Sequence, residues 1–207
     1  MKLISTRISF LYAILIIAPS LSASFVPVTY VTTEEYVVDP KESVITWKCS
    51  MQFVPQNRHV GHVYISKGEL MIEKGVLVGG TVDVDMNTIE DEVHGSDNNL
   101  IDHIKSPDFF DVKKFPTSTL TITKVGSAND GNINVTGNLT IKGITHEINL
   151  PVKLEVNAGV VNASGEVIID RTKWDVRYNS GKFFDNLADE TISDDIELDV
   201  KIVARKK

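Results

Sequence analysis

The chain has 207 residues, 24% of them charged, and a formal net charge of −7. That acidic balance, with no basic stripe interleaved with aromatics, excludes a phosphate backbone as partner, so no nucleic acid is expected. One cysteine, Cys49, excludes an intramolecular disulfide, and a 42% hydrophobic content is that of an ordinary folded domain.

The first residues, "MKLISTRISFLYAILIIAPSLSAS", carry Lys2 and Arg7, then an apolar run from Ile8 to Ala18, then small residues. This order predicts a secretory signal peptide over residues 1–23, cleaved near Ser22 to Ser24, and hence a periplasmic or otherwise secreted protein. Residues 24–35 are expected to form a linker, and residues 36–207 one domain. Loss of Lys2 and Arg7 takes the net charge from −7 to −9.

Alternation of apolar and polar residues then dominates. "SVITWKCSM" places Ile45, Trp47, Cys49 and Met51 on one side of a strand. "HVYISKGELMIEKGVLVGGTVDVDM" follows, read as strands broken by turns at Lys67-Gly68 and Lys74-Gly75. Between Asn87 and Pro116 the pattern stops. Asp97 is placed to cap a short helix through "NNLIDHI", and Ser106-Pro107 to start a second helical turn. Phe109 and Phe110 come next, so adjacent aromatics sit on a helical lid inserted into an all-β chain. Strand signals resume with "STLTITKV", "NINVTGNLTI", "HEINLPVKLEV", "VNASGEVIID" and "DDIELDVKIVA", separated by turns at "NDGN" (129–132) and "IKGIT". Closely spaced strands with turn signals indicate an antiparallel sandwich or barrel.

A barrel of about eight strands is either filled by side chains or holds one ligand. Wall candidates are Trp47, Leu139, Ile141 and Trp174, with Phe109, Phe110 and Phe115 at the lid and a second aromatic pair at Phe183 and Phe184; plain core packing is the competing role for each aromatic. Polar candidates at the mouth are His59, His103, Lys105, Arg171 and Arg177, although for Arg171 a structural ion pair with Asp170 is expected ahead of a ligand contact. His59 and His62, three apart on a strand, face opposite ways and make a poor chelate. Without an HExxH, GxSxG or phosphate-loop motif, no catalytic or metal site is expected, the alternative being a histidine-using or metal-dependent enzyme built on His59, His103 and His146. A structural stress-response module with a filled barrel is a third reading.

The segments "VDPKESVITWK", "IKSPDFFDVKKFPTSTLTITKV", "VTGNLTIKGITHEINLPVKLEV" and "IDRTKWDVRYNSGKFFDNLADETISDDIELDVKIVA" resemble the YceI-like family of secreted bacterial lipid-binding barrels, in the branch common in Bacteroidetes-type bacteria. The resemblance implies an all-β fold: an extended eight-stranded antiparallel lipocalin-like barrel with a short helical lid insertion around an apolar tunnel. It implies non-catalytic binding of a polyisoprenoid, an isoprenoid quinone or a fatty-acyl lipid, with no resident cofactor, transient membrane contact, and dimers among the family's states. The chain departs from the family's "RDxHLxSxDFF" run: "LIDHIKSPDFF" lacks the Arg-Asp pair, while His103 keeps the place of the histidine.

Overall fold

A computed structural model describes residues 32–53, 58–93, 95–96, 98–127 and 132–207; the signal-peptide segment, Asp97, His94 and the tip of the 129–132 turn lie outside the described residues. Nine strands are described: β1 (Glu34–Val38), β2 (Val44–Ser50), β3 (Arg58–Glu73), β4 (Val76–Asp91), β5 (Thr117–Val125), β6 (Asn132–Ile141), β7 (Ile144–Asn157), β8 (Val160–Asp170) and β9 (Asp195–Lys206). One helix, α1 (Asn99–Lys105), interrupts them between β4 and β5. Every pairing is antiparallel, and the ladder β2-β9-β8-β7-β6-β5-β4-β3 closes on itself through β2 and β3. The result is an eight-position barrel in which β1 and β2 share one position, both lying between β3 and β9.

The shared position follows from local sequence. Pro40 has no N–H to give a ladder, so the strand breaks after Val38 and resumes at Val44. Ser43 fills the gap: its buried hydroxyl accepts from Val203 N at 3.0 Å and donates to Val203 O at 3.2 Å. Val203 O also accepts from Asp39 N at 2.8 Å. A side chain thereby replaces the missing backbone partners of β9.

β3 and β4 each run 16 residues, about 50 Å of chain at ~3.3 Å per residue, which makes the barrel long rather than round. Their ladder shifts register at three places, and bulges of this kind let a long hairpin coil. The turn expected at Lys67-Gly68 does not exist. Both residues lie inside β3, and Gly68 is there because a Cβ would come within 2.8 Å of Val38 Cγ2 on β1. Lys74-Gly75 is the true hairpin turn, with φ of 51° and 80°, as the two central residues of a primed turn require. The strand readings for β5 to β9 agree with the sequence to within a few residues, and β1 starts at Glu34, inside the segment expected to be linker.

The lid also differs from its expected form. Asn98, not Asp97, caps α1, its side chain accepting from Ile101 N at 3.0 Å. No second helix follows Ser106. The chain folds back in turns, with Phe109 N donating to Ser106 O, Phe110 N to Ile104 O and Val112 N to Lys105 O. Pro107 cannot continue the helical ladder, and Asp111 takes φ 48° to complete the reversal.

Replacing Ser43 with Ala removes the hydroxyl that meets Val203 N in the β1–β2 gap and leaves that N–H buried and unmet. The expected loss is about 1–3 kcal/mol, read as a lower urea midpoint with unchanged m value.

Candidate functional site

Inward-facing side chains do not fill this barrel. A cavity of about 210 Å³ opens beneath the lid. A second, of about 110 Å³, lies toward the β3–β4 hairpin, where Leu70 and Leu77 line it. Ile45, Val84, Leu139 and Leu198 line both, so the two are consecutive chambers of one interior. From Ile196 to Ile202 along β9 the lining extends about 20 Å. That exceeds the ~15 Å depth of hydrocarbon in one membrane leaflet. Among the described residues, no Asp, Glu, Lys or Arg lines either chamber.

The alternation read in β2 is what builds the wall: Ile45, Trp47 and Cys49, with Met51 beyond the strand end, all line the lid-side chamber. Trp47 fits because Gly61 on β3 lies directly beneath it; a Cβ on Gly61 would approach the indole Cζ2 to 2.3 Å. Burial pushes the Cys49 thiol pKa up, so it behaves as a small apolar group. α1 supplies Leu100, His103 and Ile104 to the same chamber, and the turns after it supply Phe109 and Phe110, whose rings meet edge-on at 5.0 Å.

Seven sequence candidates therefore share one wall: Trp47, His59, His103, Phe109, Phe110, Leu139 and Ile141. The rest are placed elsewhere. Lys105 is half-buried and off the lining. Phe115 packs over Gly143 in the β6–β7 turn, with Lys114 Nζ 5.0 Å from its ring. Trp174 is buried in the 3₁₀ turn after β8, donating to Leu139 O at 3.1 Å and meeting His146 edge-on. Phe183 and Phe184 are about half exposed, Phe183 beneath the Arg177 guanidinium at 4.7 Å. His59, His103 and His146 do not converge: the first two line the chamber, whereas His146 Nε2 bonds Lys173 O. Among the described residues no three His, Cys, Asp or Glu side chains gather at metal-binding distance. Met86 and Ile89 on β4 and Ser118 on β5 also line the chamber and were not singled out; the period-two pattern of "TVDVDM" was the available signal for Met86.

Beneath the lid lies a charged residue that never reaches the cavity. Arg171 is 1% exposed. Its Nε donates to Ser193 O at 2.9 Å, Nη1 to Val176 O at 2.8 Å and Nη2 to Ile192 O at 3.1 Å, while Asp194 Oδ1 stands 3.7 Å away. Its guanidinium carbon is 5.5 Å from the Phe109 ring centroid. Burial pushes the guanidinium pKa down, and the Cys49 and Asp194 groups work against that push. The ion pair expected with Asp170 is made by Lys182 instead, at 2.8 Å; Asp170 also caps the 3₁₀ turn through Thr172 N. Asp170 ends β8 and caps the 3₁₀ turn, while Arg171 opens that turn and sends its guanidinium to the carbonyls of Val176, Ile192 and Ser193, so each side chain is engaged elsewhere.

Arg171→Met strands three carbonyls beneath the lid and leaves Asp194 to Lys182 alone. Breaking a buried pair from one side costs about 3–5 kcal/mol, measurable by chemical denaturation. Arg171→Lys restores only part, because one ammonium cannot fork to three oxygens set by a planar guanidinium.

Comparison with known proteins agrees with this geometry. The model of the YceI-like domain matches residues 36–204. A UPF0312 protein of Shewanella denitrificans is 25% identical over 135 residues, 65% of this chain and 70% of its own length. One of Vibrio vulnificus is 30% identical over 133 residues, 60% of this chain and 65% of its own. Among solved structures, Burkholderia cenocepacia BcnA superposes with a TM-score of 0.64 at 21% identity, covering 80% of this chain and 98% of its own. A Saccharophagus degradans domain described as polyisoprenoid-binding gives 0.58 at 12% identity, covering 83% and 98%. A long antiparallel barrel closed by β2 and β3, with a lid carrying Phe109 and Phe110 and a family match over nearly all of it, places this chain in the YceI-like family.

Proposed function

We propose that this protein holds a long isoprenoid or acyl chain non-covalently inside its barrel, and that it carries, stores or sequesters that lipid in the periplasm or another extracytoplasmic space. The observation that carries the reading is the two-chamber interior without a charged lining residue among those described. Such a space suits methylenes far better than charged groups. The solved domain of Saccharophagus degradans described as polyisoprenoid-binding shares the fold and supports the ligand class. The compartment rests on the N-terminal order of Lys2, Arg7 and the apolar run from Ile8 to Ala18.

Energetics favour exchange over chemistry. Each methylene moved from water is worth about 0.8 kcal/mol, so a long chain would nominally exceed the ~21 kcal/mol ceiling of non-covalent affinity. Its true reference is a membrane, where the chain is already in apolar surroundings. The net free energy of transfer into the barrel is then small, which suits a carrier. This reading assigns no catalytic step to any residue, and a metal-dependent activity would instead require stoichiometric metal that a chelator removes.

Native mass spectrometry of protein purified from its own source, followed by organic extraction, tests the class directly. The expected result is a discrete adduct that extracts as a polyprenyl or acyl compound. Protein that stays free of any chain, even after incubation with lipid, overturns the reading.

Leu139 lines both chambers, so Leu139→Trp should close the passage between them. Affinity for a long polyprenol is expected to fall at least about tenfold, the equivalent of two buried methylenes, while geraniol, which fits the lid-side chamber alone, binds as before. Titration by competition with a fluorescent fatty acid reads both.

A further inference from the structure

The outer wall of the barrel carries a concavity separate from the two chambers. Where β1 gives way to β2, an open groove of about 460 Å³ lies against β3 and β9. Lys41 and Glu42 line it from the connection, Val44 from β2, His62 and Tyr64 from β3, and Lys201 from β9. Strand register brings them together. Val44 pairs with Tyr64 on one side and Lys201 on the other, and Thr46 pairs with His62. Ile45 and Trp47 line the interior, so Val44 and Thr46 point away from it. Among the described residues, the groove shares no lining side chain with either chamber.

Two ammonium groups in this groove lack a counter-ion. Most of the surrounding wall is neutralised pair by pair. Lys48 meets Asp199, Arg58 meets Glu197 and Lys67 meets Asp83. Arg205 meets Asp39 and Glu42, and Lys206 meets Glu34. Among the described residues of β1, β2, β3 and β9, that leaves Lys201 as the one cation outside an ion pair, and Lys41 beside it has none either. The acids closest to the groove are already engaged: Glu42 by Arg205, Asp199 by Lys48, and Glu90 by the Tyr64 hydroxyl at 2.5 Å.

His62 supplies a third donor. Its Nδ1 meets Thr46 Oγ1 at 3.2 Å, which leaves Nε2 as the nitrogen available to a ligand. With the Thr46 hydroxyl donating to Nδ1, the ring proton sits on Nε2. Two ammonium groups and an imidazole N–H, held on three different elements around one open space, select a multiply charged oxyanion. Charge-assisted hydrogen bonds from lysine to phosphate oxygens are the strong kind, and lysine meets phosphate as a point charge without needing a planar fork. A monocarboxylate would neutralise only one of the two ammonium groups. The half-buried Tyr64 ring, its hydroxyl already used, offers an apolar face to whatever carries the anion.

We propose that this groove is a binding site for a phosphate-type oxyanion, held by Lys41, Lys201 and His62, with Tyr64 as a wall for the organic body attached to it. The site is independent of the chain-binding reading, because it lies on the opposite face of β2 and β3 from the chambers.

The test titrates inorganic diphosphate into ¹⁵N-labelled protein and follows the His62 ring resonances, assigned by their loss in His62→Gln. Saturable movement of those resonances is expected. In calorimetry the double variant Lys41→Ala, Lys201→Ala should bind diphosphate at least about tenfold more weakly. Both lysines are exposed, so the double variant is expected to fold as the wild type does. Lys74→Gln removes an unrelated charge at the tip of the β3–β4 hairpin and should bind like the wild type. A second arm sediments the protein with phosphatidic acid–phosphatidylcholine vesicles and with phosphatidylcholine vesicles alone. Phosphatidic acid binding that the double variant loses places the phosphate on a lipid; diphosphate binding without it places the phosphate on a soluble compound. Binding of neither probe overturns the proposal, as does diphosphate binding that leaves His62 unmoved. Equal weakening in Lys74→Gln and in the double variant also overturns it, since diffuse charge would then account for the affinity.

Discussion

One buried guanidinium organises the lid end of this barrel. Arg171 brings a full charge out of water, which costs several kcal/mol by itself, and the structure answers with three carbonyls and the nearby carboxylate of Asp194. Those carbonyls belong to Val176, Ile192 and Ser193, residues on both sides of the long excursion between β8 and β9. The excursion is thus pinned at its base, although Asp175, Asn179, Asn186 and Ala188 within it all adopt positive φ. On its other side the guanidinium lies near the Phe109 ring. Lid and loop share one anchor, and the chamber beneath them takes its shape from it.

The chamber exists because of a mismatch between strand length and side-chain volume. Long strands with branched and medium-sized inward residues close a barrel whose axis they cannot fill. Close packing is concentrated elsewhere, as at Ile72, Val161 and Ile101, which have essentially no exposure. Polar character in the interior is graded rather than absent. The lid-side chamber has Trp47, His59, His103, Ser50 and Ser118 among its lining, while the far chamber has little besides aliphatic side chains. A molecule with one polar end and a long tail has a preferred direction in such a space.

Much of this was legible from residue order. Period two along β2 and β6 assigned Ile45, Trp47, Leu139 and Ile141 to the inner face, because adjacent strand residues must point opposite ways. The Phe109-Phe110 pair was legible as cover for an apolar space, since neither ring could be satisfied on a polar segment. Other readings failed for identifiable reasons. Lys67-Gly68 looks like a turn, but Gly68 is small to admit Val38 from a strand some thirty residues earlier. Trp174 and Phe115 are aromatic like the wall residues, yet their rings are used by the 3₁₀ turn and the β6–β7 turn. Asp170 and Arg171 are neighbours of opposite charge, yet the 3₁₀ turn that begins between them sends them to different partners.

Sequence alone determined the strand periodicity, the interrupted stretch from Asn87 to Pro116 and the family, because these depend on local alternation and on long runs of matching residues. Only the tertiary structure decided which polar groups found partners. Ser43 meets Val203 across 160 residues, Arg171 meets carbonyls some twenty residues on, and Trp174 meets Leu139 across 35. Trp47 Nε1 and His103 Nε2 meet none. Hydrogen bonding is satisfied by distance and angle in space, not by order along the chain, so the unmet polar atoms become visible only once the barrel has closed.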